Sequence, residues 1–383
     1  MLDDANHAAF GLERREWILN ELRRAGSVRV VEISRSLGVA DLTIRRDLRD
    51  LADKGLLTRV HGGATLRSHL DTTVPVGAHT PGPPRFRVGM VIPSLSYYWP
   101  QIVMGARAAA TDAGVQLVLR GASYSVEDQA KQMESLVKSG GIHGLIVAPE
   151  TGGRGGAEIL RWLEAMPTPI VLVERRAPVS LALTQTEWVT TDHSFGGALA
   201  ARHLASAGHT RIGLITDSHS PTSARLRQGW QQTTSELAIE STLDCEVSMD
   251  DLGGDQRSEL VDSLLDRCAA TGTTALLIHS DRQAIMIQQQ AIDRGLQMPG
   301  DLAIVAYDDE LAASGEHPIT ALRPPKQQVG RLAIETMVAR LTEGSSRPVQ
   351  RVELLPSLHI RESAPAAGHA VSSARVSSGS VIA

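Results

Sequence analysis

The sequence predicts an α/β protein: a small winged helix-turn-helix domain followed by a larger body of two lobes built on parallel sheets. Three observations carry this. After residue 87, short apolar runs alternate with Ala- and Leu-rich helical stretches: VGMVI (88–92), VQLVLRG (115–121), GLIVAP (144–149), PIVLVE (169–174), RIGLIT (211–216), ALLIHS (275–280) and LAIVAY (302–307). Such runs, spaced by helices, are the signature of βαβ units in buried parallel sheets. Seven of them exceed what one small sheet needs, so two lobes are expected. Before residue 70 the apolar residues instead recur at helical spacing: Ile18 and Leu22, then Val30, Ile33 and Leu37, then Ile44, Leu48 and Leu51. Between the two regions, residues 67–85 carry four prolines and no apolar periodicity, which marks a linker. Fully extended, it would reach roughly 60 Å.

The N-terminal module reads helix, turn, helix. One helix ends at Leu37-Gly38, and Val39 to Asp41 make a tight turn into the next. With Ile44 taken as the buried direction and about 100° per residue, Leu48 and Leu51 share its face. Arg46, Arg49 and Leu42 point nearly opposite, and Arg45 lies on the flank. A helix with one apolar and one cationic face suits a DNA groove. Arginine can bond guanine O6 and N7 together, and Leu42 offers an apolar group for a thymine methyl, with Thr43 helping. The hairpin turning at Gly62-Gly63 carries Arg59 on one arm and Arg67 beyond the other, a wing placed for phosphates.

The chain has 383 residues, 42% hydrophobic and 21% charged, with a net charge of −5. Residues 1–70 hold 12 Lys and Arg against 10 Asp and Glu, whereas the remainder holds 26 against 33. That asymmetry favours a polyanion-binding headpiece on an acidic body. Two cysteines, Cys245 and Cys268, make no disulfide framework or zinc spacing. The acidic start lacks a signal-peptide pattern, and no run of eighteen apolar residues occurs, so a cytoplasmic location is expected. His203 and His209 bracket LASAG without a third ligand, and TGGRGGAE (151–158) fits no phosphate-loop pattern and reads as a flexible loop. No GxSxG or HExxH occurs, and neither a metal nor a cofactor is expected. The tail at 363–383 is small and polar, and is expected to be disordered.

The stretch from Arg14 to Leu66, with TIRRDL at 43–48 and L-x-x-x-G-L-L-x-R-V-H-G-G-A ending at Ala64, resembles the DNA-binding domain of DeoR-family transcriptional regulators. That family usually has a capping serine where Ala40 stands. Here Asp41 or Thr43 would have to cap instead, so the helix is expected to start a residue later. The body does not resemble the sugar-phosphate-isomerase-like domain that usually follows in that family. Residues 86–362 instead resemble the effector-binding domain of the LacI family, through VTTDHSFGGALAARHLASAGHTRIGLI (189–215), SARLRQGW (223–230), TALLIHSDRQAI (274–285), MPGDLAIVAYDDE (298–310) and LPSLHIRES (355–363). The resemblance implies a periplasmic-binding-protein-like fold: two lobes joined by three crossovers, with a small ligand between them. The first lobe is placed at about 86–190 and 308–322, the second at about 191–307 and 323–362.

In open α/β sheets ligands sit beyond the carboxyl ends of the strands. Tyr97, Tyr98 and Trp99 crowd one such loop in a chain with five Trp, four Tyr and three Phe. Flat amphipathic rings can cover a sugar. At least one of the three should fill the core, and Tyr98 and Trp99 are favoured to face ligand. Arg120, Ser123, Glu174 and Arg175 stand at other strand ends. The resemblance assigns Asp281 to ligand hydroxyls, the alternative being a helix cap, the role preferred for Asp192. It also asks for an arginine where Leu226 stands, with Arg225 and Arg227 on either side; Arg227 is favoured.

These readings converge on a ligand-responsive regulator, a repressor of carbohydrate-metabolism genes, acting as a homodimer on operator DNA with a sugar-like effector. The Pro-rich linker is not expected to form a hinge helix, so lobe closure would set headpiece spacing. A sugar-processing enzyme or a sugar-binding protein with a DNA-binding headpiece is the alternative. The first lacks a phosphate loop or a paired acid and base, and the second lacks an export signal.

Overall fold

The computed structural model describes residues 11, 14–19, 21–22, 27–53, 57–60, 63–65, 84–249, 252–314 and 316–366. The linker through residue 83 and the tail from 367 lie outside them, so the expectations for a hinge-free linker and a disordered tail are not addressed. The described residues form two compact units: those up to 192 with 324–356, and 193–323 with 357–366.

The headpiece opens on a helix at 14–19 and 21–22, then β1 (Ser27–Arg29), α1 (Val30–Leu37) and α2 (Asp41–Asp53). Strands β2 (Thr58–Val60) and β3 (Gly63–Thr65) follow, and the three strands form an antiparallel sheet in the order β1-β3-β2. The expected apolar positions form one core: Ile18, Leu22, Val30, Ile33, Ile44, Leu48 and Leu51 are all buried. Gly38 ends α1 in the left-handed conformation, as a glycine at this position readily does. The second helix is not delayed. It begins at Asp41, and the carbonyl of Ala40 accepts from the Thr43 and Ile44 amides at 2.9 and 3.3 Å, so the backbone starts the helix without a serine. Gly63 does not sit in the turn. It pairs with both Val60 and Arg29, and a Cβ there would lie 2.0 Å from the Val28 carbonyl oxygen. The central strand needs glycine to let β1 approach.

The first lobe holds β4 (Phe86–Ile92), α3 (Trp99–Asp112), β5 (Val115–Gly121), α4 (Val126–Lys138), β6 (Gly144–Val147), α5 (Gly153–Glu164), β7 (Ile170–Val173) and β8 (Glu187–Thr191). Its sheet, completed at one edge by β14 (Arg351–Leu354) and ordered β14-β8-β7-β6-β4-β5, is parallel throughout. The second lobe holds α6 (His193–Ser206), β9 (Arg211–Asp217), α7 (Ser223–Glu236), β10 (Glu240–Val247), α8 (Gly254–Thr271), β11 (Ala275–His279), α9 (Asp281–Asp293), β12 (Ala303–Tyr307) and β13 (Thr320–Arg323). The chain then returns to the first lobe for α10 (Lys326–Glu343) and β14 (Arg351–Leu354), and ends in the second with β15 (Ser357–His359). That sheet runs β10-β9-β11-β12-β13-β15, parallel except for β15.

The late segments are therefore assigned opposite to the expectation. Residues 308–322 stay in the second lobe because β13 pairs with β12, Tyr307 opposite Leu322. Most of 323–356 belongs to the first, where β14 pairs with β8. There α10 packs on α3 so closely that a Cβ on Gly105 would lie 1.9 Å from the Gln327 carbonyl oxygen, and one on Gly330 1.9 Å from that of Ile102. The second lobe extends past residue 362: Ser363 Oγ donates to Ile304 O at 2.6 Å, and Thr320 N donates to Ser363 Oγ at 2.8 Å.

Candidate functional site

On α2 the cationic side is presented outward. Leu42 is 79% exposed, Arg45, Arg46 and Arg49 are exposed, and Thr43 is half-buried at the helix start. The inner side also carries charge: Asp47, 4% exposed, pairs with Arg14 through Nε, with Arg15 Nε 3.9 Å away. Arg15 reaches Asp50 at 3.4 Å. Sequence periodicity placed the apolar face but missed this ion-paired seam, because the partners lie more than thirty residues apart. The side chain of Arg59, and Arg67 entirely, lie outside the described residues.

At the carboxyl edge of the first lobe, Tyr98 donates its hydroxyl to Glu174 Oε1 at 2.8 Å. Thr191 adds its N–H to Oε2 at 2.9 Å and its hydroxyl to Oε1 at 2.8 Å, and these donors help to hold the buried Glu174 carboxylate. Arg175 is buried too, its Nε donating to Pro149 O at 3.0 Å and its guanidinium 5.6 Å from the Trp99 ring. Trp99 does not face outward: at 3% exposed it joins the core beside Ile102 and Val103 and donates its indole N–H to Tyr124 Oη at 3.3 Å. Tyr98 stays half-buried, with Lys326 Nζ 5.0 Å over its ring, a contact from α10 that sequence order gave no reason to expect. Arg120 is half-buried at the end of β5, without a side-chain partner among the described residues. Ser123 is exposed, and its hydroxyl accepts the Ser125 amide at 3.2 Å where α4 begins.

TGGRGGAE is not a flexible loop. It forms the first turns of α5, and Glu150 Oε1 accepts the Thr151 and Gly152 amides, each at 2.9 Å. The helix start is thus taken by the chain's own carboxylate.

In the second lobe Asp281 opens α9, fully buried, and its carboxylate accepts the backbone N–H groups of Asp309, Glu310, Leu311 and Ala312 at 3.2, 2.6, 2.8 and 3.1 Å. It therefore clamps the loop after β12 instead of presenting oxygens to a ligand. Burial pushes its carboxyl up to about 6, against the pull of those amides. Asp309, half-buried by its surroundings, is nonetheless held below the usual carboxylate range by Arg361 and Arg323, both ion-paired to it. Leu226 is core, and Arg227 beside it donates to Asp244 Oδ1 and Thr216 Oγ1, each at 2.8 Å, with Glu246 at 3.3 Å. Next to these lies a cluster that sequence reasoning did not single out: His193 Nδ1 is 2.7 Å from Tyr307 Oη, the His279 ring meets Tyr307 edge-on at 5.7 Å, and His279 Nε2 lies 3.9 Å from Asp308. Burial, and then His193, push the His279 ring down to about 3, so it is neutral near pH 7.

Backbone strain collects at the same edges. Tyr97, Glu174, Asp308 and Asp309 have positive φ (54°, 53°, 115° and 52°), and each follows a strand end. Non-glycine residues in such conformations cluster at ligand-holding loops. His203 and His209 serve the scaffold, at 2.9 Å from Ala364 O and Thr274 Oγ1 respectively. Among the described residues no group of three or more His, Cys, Asp or Glu could hold a metal ion, and no helix is long and apolar enough to cross a membrane.

Comparison with known proteins gives the two regions separate kinships. Residues 14–69 match the DeoR-like helix-turn-helix domain, and residues 201–364 the periplasmic binding protein-like domain. The ribose operon repressor of Escherichia coli (strain K12) is 28% identical over 283 residues, covering 72% of this chain and 82% of its own. The arabinose metabolism transcriptional repressor of Geobacillus stearothermophilus is 25% identical over 340 residues, covering 87% and 89%. In fold, the chain is similar to the lac repressor dimer bound to operator and the anti-inducer ONPF, with a TM-score of 0.62 at 21% identity, over 73% of this chain and 94% of that one.

Proposed function

We propose that the chain is a transcriptional regulator with a DeoR-like headpiece and a LacI-type body, which represses carbohydrate-metabolism genes until a sugar-like effector changes its hold on operator DNA. One observation carries the DNA half: α2 buries Ile44, Leu48 and Leu51 and turns Leu42, Arg45, Arg46 and Arg49 outward. These four with Thr43 read base edges, and Arg59 and Arg67 hold phosphates. A single helix of this kind reads one half-site, and half-sites one turn of DNA apart, about 34 Å, call for a homodimer working in the cytoplasm.

The effector half rests on the polar, strained strand ends of each lobe. In the first lobe Tyr98, Arg120 and the Glu174–Arg175 pair present or brace the binding groups, with Ser123 at the rim. Trp99 supports them from the core, and Arg227 and Asp281 brace the second lobe from their ion pairs and amide clamp. Footprinting on the DNA upstream of the chain's own coding sequence tests the reading. Two protected half-sites about one helical turn apart, lost or strengthened with one neutral sugar, are expected. A footprint indifferent to every sugar would refute the effector half, and no footprint would refute the DNA half.

A further inference from the structure

Two uncharged side-chain atoms at the carboxyl edge of the second lobe are buried without a hydrogen-bond partner among the described residues: His279 Nδ1 and Gln283 Oε1. Their residues are 5% and 2% exposed, one ending β11 and the other in the first turn of α9. The neighbours indicate which role each atom plays. His279 Nε2 faces Asp308 Oδ2 at 3.9 Å, a carboxylate that favours the ring proton on Nε2 and leaves the lone pair on Nδ1. Gln283 Nε2 donates to Asp217 Oδ2 at 3.3 Å, which orients the amide and leaves Oε1 as the idle acceptor. Both atoms are therefore acceptors in want of donors. Buried polar groups in native proteins are almost always satisfied, and an exception calls for a ligand, ion or water to complete it.

We propose that His279 Nδ1 and Gln283 Oε1 accept hydrogen bonds from hydroxyl groups of the effector, a neutral polyol. The inference rests on the sugar-responsive reading above and deepens it. A hydroxyl can donate to either atom, and the carboxylates of Asp217 and Asp308 beside them favour an uncharged group over a phosphate at this place. The arrangement also explains how this chain reads hydroxyls although Asp281 is committed to its loop: the acceptors stand two residues to either side of it. The pairing of His193 with Tyr307 leaves His279 as the ring available to ligand.

The test is calorimetric titration of the full chain with ribose, arabinose, xylose, glucose, galactose and fructose, with ribose 5-phosphate and glucose 6-phosphate, and with inorganic phosphate. One neutral sugar is expected to bind the wild type. Its affinity should fall at least tenfold in Gln283→Met and in His279→Phe, while the ligand-free variants keep the wild-type circular dichroism and a cooperative unfolding transition. A deoxy form of that sugar, lacking the matching hydroxyl, should bind the wild type as weakly as the parent binds the variant, and lose nothing further on the variant. Parent sugar binding within twofold on both variants would mean that internal water serves these atoms, overturning this inference while the sugar-responsive reading stands. Binding of the phosphates in place of the neutral sugars would overturn the polyol class. Binding of no probe would overturn the sugar-responsive reading, and this inference with it.

Discussion

Tyr98 donates its hydroxyl to Glu174 Oε1 at 2.8 Å, tying the loop after β4 to the end of β7. The bond joins those from Thr191 around a carboxylate that is 7% exposed, so the anion is stabilised by its neighbours instead of by water. Tyr98→Phe removes one donor and leaves the two from Thr191. A hydrogen bond to a charged group contributes about 1.5–3 kcal/mol, and urea unfolding of the variant should show a loss in that range. Unchanged stability would mean that the bond is exchanged for water without cost.

The headpiece depends on the seam between its first helix and α2. Arg14→Ala leaves Asp47 buried with Arg15 at 3.9 Å as its remaining counter-ion. Breaking a buried pair costs about 3–5 kcal/mol, and the retained Arg15 places the expected loss at the lower end. The headpiece should then melt before the body, as a separate earlier transition in differential scanning calorimetry. Coincident transitions equal to those of the wild type would contradict this role.

Arg46→Ala should weaken specific operator binding by about 1–3 kcal/mol if the guanidinium makes a two-pronged base contact. The loss should be larger on operator than on random DNA, since a phosphate contact would weaken both alike. Equal affinity of wild type and variant for operator would return this face of α2 to ordinary solvated surface.

The buried His279 makes stability depend on pH with a definite sign. Its ring stays neutral in the native protein down to about 3, whereas an unfolded histidine takes up a proton below about 6.5. Between those values the unfolded chain binds more protons, so unfolding free energy rises with pH and is lost as pH falls from about 6.5 towards 3. In His279→Phe that slope should be shallower by one proton across this window, measured as urea midpoints at pH 4.5, 5.5 and 7. Parallel slopes would mean that the ring is protonated in the native state.

What the sequence made legible was what local periodicity encodes. Ile44, Leu48 and Leu51 lie on one buried face as their spacing predicts, and the seven apolar runs are seven strands of the two sheets. The strand Glu187–Thr191 escaped because its run is short and mostly polar, although every residue of it is buried. Lobe membership of the late segments was illegible because it depends on pairings such as Trp188 opposite Arg351, far apart in the chain. The surroundings of the site residues were hidden for a similar reason. Asp281 looked like a ligand-facing acid until four amides from residues 309–312 arrived at its oxygens, and Trp99 looked exposed until α3 turned it into the core. The ion-paired Arg227 is a third case, its guanidinium taken by carboxylates on β10.

The central claim is that one chain couples operator DNA to a neutral sugar. Its most direct test is the dissociation constant for its own upstream DNA at one fixed salt concentration, measured by fluorescence anisotropy with and without each sugar. Coupling between sites is typically about 1–3 kcal/mol, so one neutral sugar should shift that constant roughly 5- to 150-fold while the others leave it unchanged. A constant that no sugar moves, at concentrations that saturate binding to the body, would contradict the account.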